Sequence, residues 1–509
     1  MSRFPRFRQL DGSHPFQREV PGGYIEYGAR RIRGAEVVYF NFLLAQEMGL
    51  LPARHPQRLT SALRRTILDT FSLEILNEYH LRRCTPVRVE DRLPGRYMAT
   101  RYLQLQHPGR RGRTSGDGRS VWNGTVRWRG RSWDVSSCGT GSTRLSPATA
   151  WSNRFYKTGS RAVSYGCGTA SVEDGLAAAL MSETFHANGI ATERVLAVLE
   201  LPNGYAINVR AAPNLIRPSH FFVHLKQGNL AALRGLAALF LERQVRNGVL
   251  PRRRGPQRWS QLAESIARTF ARTAALFESE YVFCWLDWDG DNVLADGGII
   301  DYGSVRQFGL FHREYRFDDG PRWSTTIPEQ RRKARLIVQN FVQIRDFLRR
   351  GRLRPLARFA RDRTLRVFDA EFDRALLERL LHNVGFEPAA AAALLRRHEA
   401  LVRRFRREHA YFERARAARG PRRVPDGITW NAIFSTRDVL RELPGRLLRR
   451  GEPLPAAEFL ELAASTYASR ADRSPTPARR RRARAFQLRY LELVAASARD
   501  GAGSVPRVL

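Results

Sequence analysis

The sequence predicts an α+β fold, and three observations carry that prediction. A β-rich stretch alternates short apolar runs with glycine turns; amphipathic helices then surround a short strand pair; Arg-rich helices close the chain. Its 509 residues leave room for about two to four domains at roughly 100–200 residues each.

Each element has a local reason. "GAEVVYFNFLLAQEMGLL", Gly34 to Leu51, passes from a strand-like run into an amphipathic helix. Arg101 to Val135 alternates β-rich runs with Gly turns, the signal of hairpins. "DGLAAALMSETFHANGI" from Asp174 reads as a helix stopped at Asn188-Gly189, and "RVLAVLELPNGYAINVRA" as two strands joined by Pro202-Asn203-Gly204. Trp259 to Ser279 is a strongly amphipathic helix. Beyond about residue 325 come long Arg-rich helices broken at "RGPRRVPDG" and "RSPTPARR". This order fits a protein-kinase-like two-lobed fold with a helical C-terminal extension, and α+β folds in general. The expected parts are a β-rich lobe with a helix and an inserted segment over 1–205, a helical lobe over 206–325, and the Arg-rich extension over 326–509.

The chain carries 86 Lys+Arg against 49 Asp+Glu, a net +37, yet its lysines are Lys157, Lys226 and Lys333 alone. Such charge marks a nucleic-acid or membrane partner, or reflects coding bias, since the arginines are dispersed along solvated faces. The basic run "RSPTPARRRRAR", Arg473 to Arg484, reads as a linker or arm, and non-specific polyanion binding follows from it. Cys84, Cys138, Cys167 and Cys284 form neither a disulfide framework nor a paired metal motif. A reducing compartment, no membrane span and a cytoplasmic location are the expectations.

"FCWLDWDGDNVLADGGIIDYG", Phe283 to Gly303, carries the chemistry. Asp301 follows Asp291-Asn292 by ten residues, and Asp296-Gly297-Gly298 between them predicts a β-turn-β unit that returns the second acid beside the asparagine. One carboxamide and one carboxylate then suit a hard cation bridging nucleotide phosphates, while the remaining acid accepts a proton from an attacking hydroxyl. An ordinary surface turn is the plainer reading of the same residue types.

The stretch resembles the selenoprotein O family, a kinase-like fold whose members transfer AMP from ATP to protein hydroxyls. The resemblance implies Asp291 as the catalytic proton acceptor and Asn292 and Asp301 as ligands of Mg²⁺ (or Mn²⁺), with Asp301 also near the nucleotide. "SGDGRSVWNGTVRWRGRSWDV" resembles the family's GDGR loop and following "WD", so Gly116, Gly118 and Arg119 would contact ATP. "NVRAAPNLIRPSHF" spaces Arg210 and Arg217 as the family spaces two arginines that grip the terminal phosphate. "VVYFNFLLAQEMGL" resembles its first strand and helix, and the similarity covers about residues 36–52 and 115–310.

Departures matter equally. The family's phosphate-binding lysine falls on Cys138, its helix glutamate on Ala178, and its second GDG keeps only glycines, Gly166 and Gly168, around Cys167. Substitute acids are Glu173, Asp174 and Glu183. The missing cation falls to Lys157 on the inserted segment, then Lys226, with Arg119 also able to take the role. Asp287, five residues before Asn292, is an alternative base by the interval of ordinary kinases. His220 reads as a packed, hydrogen-bonded histidine. Three functions follow: an ATP-dependent adenylyltransferase acting on protein Ser, Thr or Tyr hydroxyls, a kinase-like binding pseudoenzyme (or, with Asp287 as base, an ordinary phosphotransferase), and a nucleic-acid binder.

Overall fold

The computed structural model describes residues 3–105, 115–162, 167–284, 289–302, 305–307, 314–315, 325–417, 432–466 and 468–499. Asp287, Gly303 and the expected break at 419–427 lie outside these residues. The chain forms two compact units, one of Met1–Phe270, Leu286–Ser304 and Lys333–Leu365, the other of Ala271–Trp285, Val305–Arg332 and Arg366–Leu509. The lobe boundaries at 205 and 325 remain an expectation, since compactness alone does not define lobes.

The first unit is built on an antiparallel sheet, as the α+β prediction requires. Its strands are β1 (Tyr24–Arg31), β2 (Glu36–Phe40), β3 (Leu73–Ile75), β4 (Arg92–Tyr102), β5 (Ser115–Gly116), β6 (Ser120–Trp128), β7 (Arg131–Cys138), β8 (Arg194–Glu200) and β9 (Ala206–Ala212). Their order is β2-β8-β9-β7-β6-β4-β1-β3, with β5 on β4. In the β6–β7 hairpin, Trp128 pairs with Arg131, and Arg129 and Gly130 both take positive φ (47° and 78°), the two-residue turn that matches strand twist. The β8–β9 hairpin closes around the expected Pro-Asn-Gly, with Glu200 opposite Ala206.

Strand periodicity decides which residues reach the functional face. Trp133 and Val135 of β7 and Ile207, Val209 and Ala211 of β9 join one core with Leu44, Ile67 and Phe71, the last three from helices Phe42–Glu47 and Ser61–Phe71. Burying a side chain such as Phe71 stabilises by roughly 1.5–3 kcal/mol. Alternation therefore turns Ser136, Cys138 and Arg210 to the opposite face, where Ser136 and Arg210 are paired neighbours. Helix Val172–Ala187 packs against the sheet through Ala179, which meets Val195, Val198 and Ala206.

Asp134, 1 % exposed, ties this frame together. Its Oδ1 accepts from Arg243 Nη1 at 2.5 Å, His14 Nε2 at 2.9 Å and Thr125 Oγ1 at 3.2 Å, while Oδ2 accepts from Leu215 N at 3.0 Å. Strand, N-terminal segment, helix Leu230–Arg246 and the segment leaving β9 thus meet at one carboxylate.

In the second unit, helices Pro388–Arg397, Glu399–Arg414, Thr436–Arg450, Ala456–Ala463 and Pro477–Arg499 enclose an apolar cluster that includes Leu394, Phe412, Phe459 and Tyr490. Phe405 stacks on Phe486 at 4.9 Å between centroids. The basic run expected as a linker or arm is helical from Pro477. Ala483, Phe486, Gln487 and Tyr490 bury one face at helical spacing, and Arg480, Arg481, Arg482 and Arg484 occupy the exposed one. The density of arginine hid that periodicity. Among the described residues no helix is long and apolar enough to cross a membrane.

Asp134→Asn should lower stability at pH 7 by about 3–5 kcal/mol, because it leaves a buried arginine uncompensated. Burial alone would raise the Asp134 carboxyl, but Arg243, His14 and the Leu215 N–H together hold it well below the usual carboxylate range. A depressed folded-state pKa contributes stability that is present above the unfolded value of ~3.9 and lost as pH falls through it. Urea denaturation of both proteins should therefore show the gap narrowing below about pH 4.

Candidate active site

The hairpin expected from the sequence forms. Val293 pairs with Ile299, Leu294 N donates to Gly298 O at 2.7 Å, and Gly297 N to Leu294 O at 2.9 Å. Ile300 N donates to Asn292 O at 3.2 Å, which brings Asn292 beside the approach to Asp301. Neighbouring backbone fixes the hairpin on both sides: Glu193 N donates to Ile299 O at 2.8 Å, and Ala295 N to Ile216 O at 2.8 Å. Just before it, Ser219 N donates to Gly290 O and Leu105 N to Asp289 O, each at 2.8 Å. Four segments distant in sequence are thereby stitched into one site.

A polar cleft of ≈ 70 Å³ opens there, and Gly116, Gly118, Arg119, Cys138, Arg210, Arg217, Asp291 and Asp301 all line it. Tyr102, Asp117 and Ser120 complete the part that matters chemically. A Cβ on Gly116 would stand 2.1 Å from Thr100 O, so glycine is needed there for packing as well as for any ligand. Gly168 has φ +88°, its carbonyl accepts from Gly141 N at 3.0 Å, and it is not among the residues that line the cleft.

Arg217, 8 % exposed, is the central charge. Its Nη1 donates to Asp291 Oδ1 at 2.6 Å, its Nη2 lies 3.7 Å from Asp117 Oδ1, and its guanidinium stands 5.5 Å from the Tyr102 ring centroid. Gln104 Nε2 donates to Asp291 Oδ2 at 2.9 Å, and Asp291 N donates to Asp289 Oδ1 at 2.9 Å. Burial pushes the Asp291 carboxyl above its ordinary range, against the opposing pull of Arg217 and Gln104. Burial acts on Asp117 in the same sense, but there Arg217, Arg210 and Thr100 prevail and its pKa falls.

A hydrogen-bonded chain positions this pair. Arg217 N donates to His220 Nδ1 at 3.0 Å, which leaves the ring proton on Nε2 for Thr100 Oγ1 at 3.1 Å. Thr100 in turn donates to Asp117. Burial and Arg217 lower the His220 pKa to about 3, so the imidazole is neutral and structural, as a packed histidine should be.

Arg210 forms the second centre. Its Nε donates to Ser136 Oγ at 2.9 Å and lies 3.4 Å from Glu193 Oε2, while Glu193 Oε1 accepts from Asp301 N at 3.1 Å. Asp301 has φ +66°, a left-handed conformation uncommon outside glycine, which its surroundings must hold. Burial raises the Glu193 carboxyl despite Arg210. Asp117, Gln104 and Glu193 escaped the sequence reading. Only Asp117 left a signal, as the unassigned acid of "GDGR".

The residues proposed to replace missing groups fare unevenly. Arg119 lines the cleft beside Cys138, its Nη1 donating to Thr169 O at 3.4 Å. Lys157 is exposed and absent from the cleft walls. Lys226 donates to the carbonyl of Gln104 rather than facing the cleft, and burial lowers its pKa to about 8. Glu173 and Asp174 are exposed on the first helical turn, and Glu183 is committed to Arg194 at 2.7 Å. Ala178 is half-buried on the same helix.

Among the described residues no three His, Cys, Asp or Glu side chains form a cage for a metal. Asn292 and Asp301 are oxygen donors of the type taken by Mg²⁺, which binds through one or two protein ligands and completes its shell with water and phosphate; Asp301 lines the cleft, whereas Asn292 is half-buried and is not among its lining residues. A larger cavity of ≈ 490 Å³, lined by Arg30, Glu74, Arg88 and Tyr205, contains none of the expected site residues.

No family model matches the chain. It is 27% identical over 212 residues to a protein of Pseudoalteromonas translucida (strain TAC 125) named "Protein nucleotidyltransferase YdiU", a match covering 38% of this chain and 39% of that relative. The similarity is to a nucleotidyltransferase and spans well under half of either protein.

Arg217→Met should destabilise the ligand-free protein by about 3–5 kcal/mol at pH 7, since it leaves two buried carboxylates without their cation. Both carboxyls would then have raised folded-state pKa values, so protonation should restore part of the loss. Denaturation at pH 7 and pH 5 should show a smaller difference from wild type at the lower pH.

Proposed function

We propose that the chain is an ATP- and Mg²⁺-dependent protein adenylyltransferase with a protein-kinase-like fold, modifying Ser, Thr or Tyr hydroxyls. The observation that carries this reading is the convergence on one cleft of two arginines, the GDGR loop and the acids of the Asp291–Asp301 hairpin. The nucleotidyltransferase similarity supports the same chemistry.

Arg210 and Arg217 bind phosphate oxygens, for which guanidinium geometry is suited. Asn292 and Asp301 hold Mg²⁺, which supplies charge neutralisation at the phosphates. Phosphate oxygens compete with Asp291 for Arg217, and their gain releases the carboxylate. Asp291 then accepts the proton of the attacking hydroxyl, whose oxygen bonds to the α-phosphorus as the bond to the bridging oxygen breaks and pyrophosphate leaves. Arg119 is the cation best placed to serve beside Cys138.

A second reading, a binding protein without turnover, draws on the engagement of Asp291 by both Arg217 and Gln104. Mass spectrometry after incubation with ATP, Mg²⁺ and a protein mixture separates the two. An AMP adduct is expected, reduced by about 10²-fold or more in Asp291→Asn with ATP binding retained. In Asp301→Ala, Mg²⁺-dependent ATP binding itself should be lost. Binding without any adduct would establish the second reading, and a phosphate adduct would assign an ordinary phosphotransferase that uses Asp287 as base.

A further inference from the structure

Glu193 stands immediately before β8, next to Arg194 and the apolar run Val195–Leu199, and it is 3 % exposed. An ionised carboxylate is unfavourable at such a place unless it is paired and hydrogen-bonded. Its two oxygens face different functional groups. Oε1 accepts from Asp301 N at 3.1 Å; Oε2 lies 3.4 Å from Arg210 Nε and makes no hydrogen bond among the described residues.

We propose that Glu193 is a positioning residue that couples the phosphate-binding arginine to the metal-binding acid, a role resting on the reading given under Proposed function. On the arginine side, Glu193 and Ser136 together occupy the Nε edge of Arg210. The Nη edge is thereby turned to the cleft, where Nη2 lies 3.5 Å from Ser120 Oγ. On the acid side, the bond from Asp301 N secures a residue at φ +66°, a backbone state that needs support in any residue but glycine. The hairpin adds a third constraint, because Glu193 N is bonded to Ile299 O at 2.8 Å, two residues before Asp301. Phosphate grip and metal ligand therefore share one rigid support, and movement of either is transmitted through a single carboxylate.

The variants Glu193→Gln and Glu193→Ala separate the two connections. Glutamine keeps an acceptor for Asp301 N and removes the charge beside Arg210; alanine removes both. Calorimetric titration with ATP, with Mg²⁺ or with a chelator, is the first measurement. Glu193→Gln should weaken chelator-condition ATP binding about tenfold, as expected for a charge-assisted phosphate contact that is no longer aimed, and should keep the gain on adding Mg²⁺. Glu193→Ala should lose that gain as well. On an Arg210→Ala background, Glu193→Gln should change affinity by less than about twofold, since coupled residues are not additive. Additive losses, or tighter ATP binding in Glu193→Gln, would overturn the proposal and leave Glu193 as a charge that merely opposes phosphate.

The second measurement needs no nucleotide. In ligand-free protein labelled with ¹⁵N-arginine, the Arg210 Nε–H resonance, assigned by its loss in Arg210→Ala, should shift and exchange faster with water in Glu193→Gln. An unchanged resonance would overturn the coupling. Failure of the wild type to bind ATP, with that resonance responding as expected, would instead overturn the nucleotide reading alone.

Discussion

Arg217 lies between two carboxylates supplied by segments far apart in sequence, and the cleft depends on that guanidinium to hold them. Asp291 is drawn to 2.6 Å and Asp117 to 3.7 Å, and all three residues are buried at the cleft wall. Two acids this near each other in a low dielectric repel strongly unless a cation stands between them. The arginine is itself placed by its own backbone N–H, through His220 and Thr100 back to Asp117. The result is a closed loop of contacts in which each member needs the others. In the proposed function, phosphate takes over the role that the carboxylates play in the ligand-free protein, so its binding and the release of Asp291 are one event.

The rest of the first unit serves this arrangement. Period-two alternation sends Ser136 and Arg210 to the cleft face while Val135 and Val209 fill the core behind them. Asp134 then anchors Leu215, and with it the short segment that leads from β9 to Arg217. The two buried acid–arginine centres differ in kind. The Asp134 carboxylate is satisfied by four donors and has no place for a ligand, whereas the partners of Arg217 border open space. Buried pairs of the first sort act chiefly as geometric restraints, because desolvation offsets much of their attraction.

Much of this was legible in the sequence where the signal is local. The Asp-Gly-Gly turn between Asn292 and Asp301, the Pro-Asn-Gly turn of the β8–β9 hairpin and the helical periodicity from Trp259 each follow from neighbours a few residues away. The α+β class followed from their order. What remained hidden depends on contacts between distant positions: Gln104 with Asp291, Asp117 with Arg217, Glu193 with Asp301. No spacing rule exposes an acid whose partner lies some hundred residues away. The basic run after Arg473 misled for the opposite reason, since its arginines masked the buried stripe of Ala483, Phe486 and Tyr490. Rarity of lysine points to Lys157, but the structure exposes it outside the cleft while Arg119 stands within.

A crystal structure of the whole chain with Mg²⁺ and a non-hydrolysable ATP analogue would show whether nucleotide and metal occupy this cleft. Phosphate oxygens are expected within hydrogen-bonding distance of Arg210 and Arg217, metal density against Asn292 and Asp301, and an Asp291 carboxylate no longer bonded to Arg217. An analogue seated elsewhere, for example in the ≈ 490 Å³ cavity lined by Arg30, Arg88 and Tyr205, with the Arg217–Asp291 pair intact, would contradict the proposed function.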